Sequence, residues 1–160
     1  MFRIAKALHL IGLAMFLGSI LGHIVAGLIP AADTDPEVIL HVRQEIRLAT
    51  LYLTIPGLVL LVLSGIWMTI HGRLGIGQIG WLTAHQLIGL FILLNAGLVL
   101  VPTGAALLEG AYALRQAAVS PADFQTLVLR EKSFGAVNLL LTLITIFVAV
   151  LKPRLRRASH

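Results

Sequence analysis

Three histidines lie inside long apolar segments of the sequence: His9, His23 and His85. Ionisable and metal-binding side chains are rare in such segments and are functional by default. Neutral imidazole is a good ligand for iron, zinc and copper alike. The pattern therefore predicts a metal or haem site built from histidines.

Two of these histidines are predicted to lie at the same depth in a membrane. If the first segment is a helix centred near Phe16, His9 lies seven residues from the centre, or roughly 10 Å. The third segment is centred near Ile92, and His85 again lies seven residues away on the same side. Two imidazoles that face each other across a helical bundle could be the axial ligands of one haem iron.

A deep, apolar position without carboxylates or thiolates favours haem over a bare metal ion at this pair. Two small residues, Gly12 and Gly89, could make room for a macrocycle. Basic residues lie where the haem propionates would emerge, namely Arg3, Lys6, Arg73 and Lys152. The alternative is structural, because a single membrane histidine often only donates a hydrogen bond to a neighbouring helix.

His23 could belong to a second haem. His9 and His23 are 14 residues apart, about 40° from each other around a helix and roughly 21 Å along it. Phe16 lies on the same face between them. The spacing resembles the paired ligands on one helix in the two-haem cytochrome b of respiratory quinol oxidoreductases. A second ligand would have to come from Tyr52, Asn138, another copy of the chain or a shifted helix.

A third set of polar residues precedes the second apolar segment. Glu37, His41 and Glu45 recur every four residues and would share one helix face. They could bind a divalent cation together with Asp33 or Asp35, or they could form a solvated face. His71, at the other end of this segment, is predicted to be an interfacial residue.

Four apolar segments must position these residues, and each is about as long as a helix that crosses a ~30 Å hydrocarbon core. They are residues 7–29, 48–70, 81–101 and 134–151. Hydrophobic residues make up 58% of the 160 residues and charged residues 12%. Because backbone groups in lipid must bond within their own segment, the prediction is an all-α, integral membrane four-helix bundle forming a single transmembrane domain over residues 1–160. Without cysteine, disulfides, zinc–thiolate sites and iron–sulfur clusters are excluded.

The charges predict an orientation for the four helices. One side of the membrane carries seven basic residues and no acid, while the other carries all seven acids and five basic residues. The positive-inside rule therefore places both termini in the cytoplasm. Lipid headgroups are the expected partners of the basic tail, and nucleic acid is not. The first apolar segment is longer than the apolar part of a signal peptide, so we expect a retained helix.

Helices are predicted to extend beyond the membrane on the side opposite the termini. Asp35 with Pro36, and Ser120 with Pro121, have the pattern of a helix cap followed by proline at the first helical position. The third helix is predicted to continue between Gly110 and Ala118. Prolines inside the spans, Pro56 and Pro102, should bend them.

Small residues form a stripe along the first helix, at Ala14, Gly18, Gly22 and Ala26. Such stripes let helix backbones approach closely. This one is centred roughly 140° from the histidine face. It could pack within the bundle or form a homodimer. Asn95 and Asn138 also need partners in lipid, and bonds between helices are their expected role.

The sequence resembles the HemJ-type protoporphyrinogen oxidases and, more loosely, the CopD-like membrane proteins. Four short stretches carry the resemblance: Lys6-Ala7-Leu8-His9 with Phe16, Thr54-Ile55-Pro56-Gly57 with Gly65-Ile66-Trp67, Gly80-Trp81-Leu82 before His85, and Val150-Leu151-Lys152-Pro153. The resemblance implies a b-type haem in the bundle, with His9 as a ligand, and oxidation of a porphyrinogen coupled to electron transport. It also implies location in a bacterial cytoplasmic membrane.

Three functions follow as hypotheses. The first is a haem b protein that moves electrons within the membrane, with a tetrapyrrole, a quinol or a reactive oxygen species as donor. The second is a non-redox carrier or sensor for a metal such as copper, which would use His23, His41 and the acids nearby. The third is a structural membrane subunit with the small-residue stripe as its interface.

Overall fold

Four long helices make up the structure, a computed structural model that describes residues 2–29, 35–72 and 80–153. We name them α1 (Phe2–Ala26), α2 (Pro36–His71), α3 (Gly80–Arg115) and α4 (Pro121–Leu151). Each is long and apolar enough to cross a membrane, and the described residues contain no strand. The predicted all-α membrane bundle is confirmed.

The helices α2 and α4 begin where the sequence predicts. The Asp35 side chain accepts a hydrogen bond from the Glu37 backbone N–H at 2.9 Å, and Pro36 follows it as the first helical residue. Ser120 accepts from the backbone N–H of Asp123 at 3.2 Å and donates to its carboxylate at 2.7 Å. These caps satisfy backbone donors that the first helical turn leaves without partners.

Three helical segments extend beyond the length that a membrane requires. A 36-residue helix such as α2 or α3 is about 54 Å long, against a hydrocarbon core of about 30 Å. We call residues Pro36–Ala49, Val101–Arg115 and 121–133 the extension bundle. Its core contains apolar residues from all three segments: Ile39, Leu40, Leu107, Ala111, Phe124 and Val128. The predicted continuation of α3 past Gly110 is therefore confirmed, and it packs against the other two segments.

Each proline inside a span follows a wider turn of helix. The backbone is π-helical at Thr50–Thr54 and at Ala96–Leu100, and each of these turns ends two residues before a proline, Pro56 or Pro102. Proline has no N–H, and its ring crowds the carbonyl four residues earlier. A single π-helical turn changes the local hydrogen-bond register, so the helix can continue past the proline.

Two helix pairs form the half of the bundle near the termini. They are α1 with α2 and α3 with α4, and the helices pack more closely within each pair than between the pairs. The α1–α2 pair is tight because Gly12 and Gly57 face each other. A Cβ atom on Gly12 would lie 2.9 Å from the Gly57 carbonyl oxygen. The expectation that Gly12 makes room for a macrocycle is therefore wrong, because α2 fills that space. Beyond the local backbone of α3, no described residue has an atom within 4 Å of a Cβ placed on Gly89.

The small-residue stripe of α1 lies on the outside of the bundle. Ala14, Gly18 and Gly22 are exposed. A Cβ atom on either glycine would have no neighbour within 4 Å. Gly18 and Gly22 thus pack against no other helix among the described residues, and the homodimer stays a prediction.

Aromatic and basic side chains meet at the end of the bundle near the termini. The Lys152 ammonium lies 5.5 Å from the centre of the Trp81 ring. His71 is exposed and stacks on Trp67, with ring centroids 3.9 Å apart. Tryptophan and lysine at a helix end are typical of the membrane–water interface. These neighbours suit an interfacial residue, and the interfacial position of His71 stays a prediction.

Candidate functional site

The His9 imidazole is held by hydrogen bonds to α2. Its Nδ1 atom lies 3.1 Å from the Leu61 carbonyl oxygen and 3.0 Å from the Ser64 hydroxyl oxygen. A carbonyl oxygen can only accept, so Nδ1 carries the proton. The Ser64 hydroxyl donates to the Leu60 carbonyl, which leaves its oxygen free to accept from His9. Nε2 of His9 is therefore the unprotonated nitrogen.

His85 is held in the same way by the other helix pair. Its Nδ1 atom lies 3.3 Å from the Thr145 carbonyl oxygen on α4. Nδ1 again must donate, so Nε2 again carries the lone pair. The Thr145 hydroxyl is buried and has no hydrogen-bond partner among the described residues. Next to His85, Gln86 donates to the Thr69 hydroxyl at 3.0 Å and so links the two helix pairs.

The two imidazoles are neighbours across the pairs, with ring centroids 6.3 Å apart and planes inclined at 49°. A metal–imidazole bond is about 2.0–2.1 Å, so two rings on opposite sides of one metal have centroids about 6.4 Å apart. Among the described residues, neither Nε2 atom has a hydrogen-bond partner. Each ring therefore keeps an Nε2 lone pair that no described residue satisfies, and such a pair of rings suits a bound metal or a shared proton.

Hydroxyl groups and one small residue surround the pair. Gly65 lies against His9, with 3.5 Å between its Cβ position and the imidazole Cε1 atom. Arg3 and Lys6 are exposed in the first turns of α1, and Arg73 lies outside the described residues. A groove of about 350 Å³ opens nearby between α1 and α2, with Ser64 and Trp67 in its lining. It does not reach between the imidazoles, so a macrocycle there would have to part the two helix pairs.

Phe16 and His23, the other two residues of the α1 face, lie farther along the helix. Phe16 is 2% exposed and packs against Leu58 and Ile92 in an apolar cluster at mid-bundle. His23 is half-buried, and its Nε2 atom lies 3.4 Å from the Ser19 hydroxyl. Phe16 therefore separates His9 from His23.

The candidate second ligands for His23 lie elsewhere. Tyr52 is 71% exposed and points out of the bundle. The Asn138 side chain accepts a hydrogen bond from Asn95 at 3.0 Å. This bond joins α3 to α4 and is the interhelix role predicted for the two asparagines.

Glu37, His41 and Glu45 line an open groove of about 430 Å³ on the extension bundle. Within the described ranges, no three histidine or acidic side chains come close enough to hold a metal ion. Glu37 instead forms an exposed ion pair with Arg115 at 2.6 Å. The arrangement is that of a solvated face, and Asp33 lies outside the described residues.

Sequence reasoning missed two features of the site region. The first is the set of groups that orient the histidines, since backbone carbonyls have no sequence signature. The second is an ion pair between Arg43 and Glu131 at 2.5 Å, in which Arg43 is only 5% exposed. The sequence does indicate that Arg43 is buried, because Arg43 lies between Ile39 and Ile46 on the apolar face of its helix.

Comparison with known proteins gives one match. A family model described as "Predicted integral membrane protein (DUF2269)" matches residues 3–153. No curated protein and no solved structure matches the chain.

Proposed function

We propose, for a chain that belongs to the DUF2269 family of predicted integral membrane proteins, that His9 and His85 hold one b-type haem and that the protein carries electrons within the membrane. The observation behind the proposal is the imidazole pair, with centroids 6.3 Å apart and with the unprotonated nitrogen of each ring left without a partner among the described residues. This separation matches two ligands on opposite sides of one metal.

The donor set fits haem better than a bare metal ion. A bare zinc ion typically uses three or four protein ligands, whereas a haem iron would need only two from the protein. His9 and His85 are two neutral ligands from different helices. The carbonyls of Leu61 and Thr145 fix the tautomer and orientation of the rings, as hydrogen-bond acceptors commonly do for metal-binding histidines.

A bound haem would supply one-electron chemistry, since its iron changes oxidation state by single electrons. The residues of this chain would hold the ligand rings in place and exclude water with the apolar cluster around Phe16. Arg3 and Lys6 are at the end of the bundle where the acidic groups of the cofactor would meet water. The resemblance to HemJ-type oxidases also supports haem, with a porphyrinogen, a quinol or a reactive oxygen species as the electron donor.

Absorption spectra of the purified protein test the proposal. We expect a Soret band, and sharp α and β bands on reduction, because two imidazoles make the iron low-spin. His9→Ala and His85→Ala should each abolish the haem or make it high-spin. His41→Ala is the matched control, since it removes an exposed histidine and should leave the spectrum unchanged.

Three other outcomes would reject the proposal. Fully low-spin spectra in both His9→Ala and His85→Ala would show that these two histidines are not the haem ligands. A colourless protein that binds copper in titration would favour the metal carrier, and a colourless protein without metal would favour the structural subunit.

A further inference from the structure

An apolar groove opens between α1 and α2 on the outside of the bundle, and the proposed haem site does not use it. Its volume is about 350 Å³. Both helices contribute to its apolar lining, which contains Ile4, Ala5, Leu8, Leu60, Leu63 and Trp67. Ile4 is 65% exposed and Leu63 is 62% exposed. The groove is therefore open on the face that a membrane helix turns towards lipid.

The groove offers little to which a polar ligand could bond. The Ser64 hydroxyl lies in its lining, but it donates to the Leu60 carbonyl and lies 3.0 Å from His9 Nδ1. A polar group placed in the groove would lose its hydrogen bonds to water without replacing them, which is costly. The groove thus suits a hydrocarbon chain, and any polar part of the ligand must lie at the mouth.

Trp67 marks the mouth of the groove. Tryptophan is enriched where membrane helices meet the headgroups, and Trp67 is the lining residue of α2 nearest to the end that holds the termini. From Leu60 to Trp67 the lining extends roughly 10 Å along the helix. His71 stacks on the Trp67 ring, with centroids 3.9 Å apart. The head of a chain lying in the groove would therefore lie beside His71.

Positive charge lies at the level of the mouth. His9 bonds to Leu61 and Ser64, and α1 runs antiparallel to α2. Arg3, six residues before His9, therefore lies at about the level of Trp67 and His71. Arg3 is exposed, and this side of the membrane carries seven basic residues and no acid. Such a surface attracts anionic headgroups.

We propose that the groove binds one acyl chain of an acidic phospholipid, with the phosphate beside His71 and Arg3. The chain packs on the apolar lining, and the positive charge at the mouth selects the headgroup. Because Ser64 lies in the lining and bonds to His9, the bound lipid also supports the segment of α2 that orients this imidazole. The proposal concerns lipid binding alone and does not depend on haem.

Photolabelling tests the site. The full-length protein is placed in phosphatidylcholine nanodiscs with a small fraction of phosphatidylglycerol that carries a diazirine in its acyl chain, and labelled peptides are mapped by mass spectrometry. We expect label concentrated on residues 4–8 and 60–67. Unlabelled phosphatidylglycerol should displace it, whereas the same amount of zwitterionic phosphatidylethanolamine should not.

Leu63→Trp tests the groove, because the larger side chain would fill space that the acyl chain needs. Label on the two groove segments should fall several-fold. Leu87→Trp is the matched control, since Leu87 is 63% exposed on α3 and does not line the groove. Equal labelling of the groove segments in the two variants would overturn the proposal.

Arg3→Gln tests the headgroup without changing the groove. Removal of one cation should weaken displacement by phosphatidylglycerol roughly fivefold. Lys152→Gln removes an exposed cation beside Trp81, on the other helix pair, and should leave displacement unchanged. Equal effects of the two substitutions, equal displacement by both lipids, or label spread evenly over all lipid-facing helices would also overturn the proposal. Because labelling is read without haem, a failed haem experiment leaves this result interpretable.

Discussion

The close contact between Gly12 and Gly57 predicts a specific cost for adding one methyl group to α1. In Gly12→Ala, the new Cβ atom would lie 2.9 Å from the Gly57 carbonyl oxygen and 3.0 Å from the Leu61 backbone nitrogen. Ordinary contacts begin near 3.4 Å. Because two of the three nearest atoms belong to the backbone, a rotamer change cannot relieve the clash, and α1 and α2 must separate by roughly half an ångström.

The size of the effect follows from overpacking, which typically costs 1–3 kcal/mol. Gly18→Ala is the matched control, since its Cβ atom has no neighbour within 4 Å. Both variants gain the same helix propensity, about 1 kcal/mol, so their difference isolates the clash. We expect Gly12→Ala to be about 1–3 kcal/mol less stable than Gly18→Ala.

Unfolding of the purified protein in mixed micelles, with increasing fractions of sodium dodecyl sulfate and circular dichroism as the readout, measures this difference. Gly57→Ala should behave like Gly12→Ala, since its Cβ atom would lie 2.9 Å from the Phe16 backbone nitrogen. The double variant should cost less than the sum, because one separation of the helices relieves both contacts. Equal stability of Gly12→Ala and Gly18→Ala would refute the predicted packing.

Three further predictions use the same unfolding assay or cross-linking. Glu131→Gln should lower the free energy of unfolding by about 3 kcal/mol, because the buried Arg43 charge loses its counterion. Glu37→Gln breaks the exposed pair with Arg115 and should lower the free energy of unfolding by less than about 1 kcal/mol. Equal losses in Glu131→Gln and Glu37→Gln would contradict the burial of the Arg43–Glu131 pair. Asn138→Leu should cost about 0.6–1.7 kcal/mol, the range for hydrogen bonds between membrane helices, and no loss would mean that this bond contributes nothing. Gly18→Leu should abolish chemical cross-linking between two copies of the chain, and undiminished cross-linking would exclude the stripe as the dimer interface.

The sequence predicted the helices well because their signals are local. Four apolar segments, two caps followed by proline and the continuation of α3 all correspond to described structure. Helical rise alone predicted His9 and His85 at one depth, and their ring centroids lie 6.3 Å apart. Period and rise are properties of a single helix, so they can be read before any packing is known.

Packing between helices could not be read in the same way. Gly12 was assigned to the wrong use because its partner, Gly57, lies 45 positions away in the sequence and only the fold brings the two together. Arg43, which the sequence analysis only counted among the five basic residues on the acidic side, is buried near the Phe124 ring. Both errors concern contacts between distant segments, which no local pattern specifies.

The pairing of neighbouring helices has a consequence for assembly. Each pair is a hairpin of consecutive segments, and each contains both a histidine and the carbonyl that orients it. The α1–α2 hairpin can therefore orient the His9 imidazole during synthesis, before the α3–α4 hairpin has entered the bilayer. The final event would then be the lateral meeting of two preformed halves, when a flat molecule dissolved in the lipid could be captured between them.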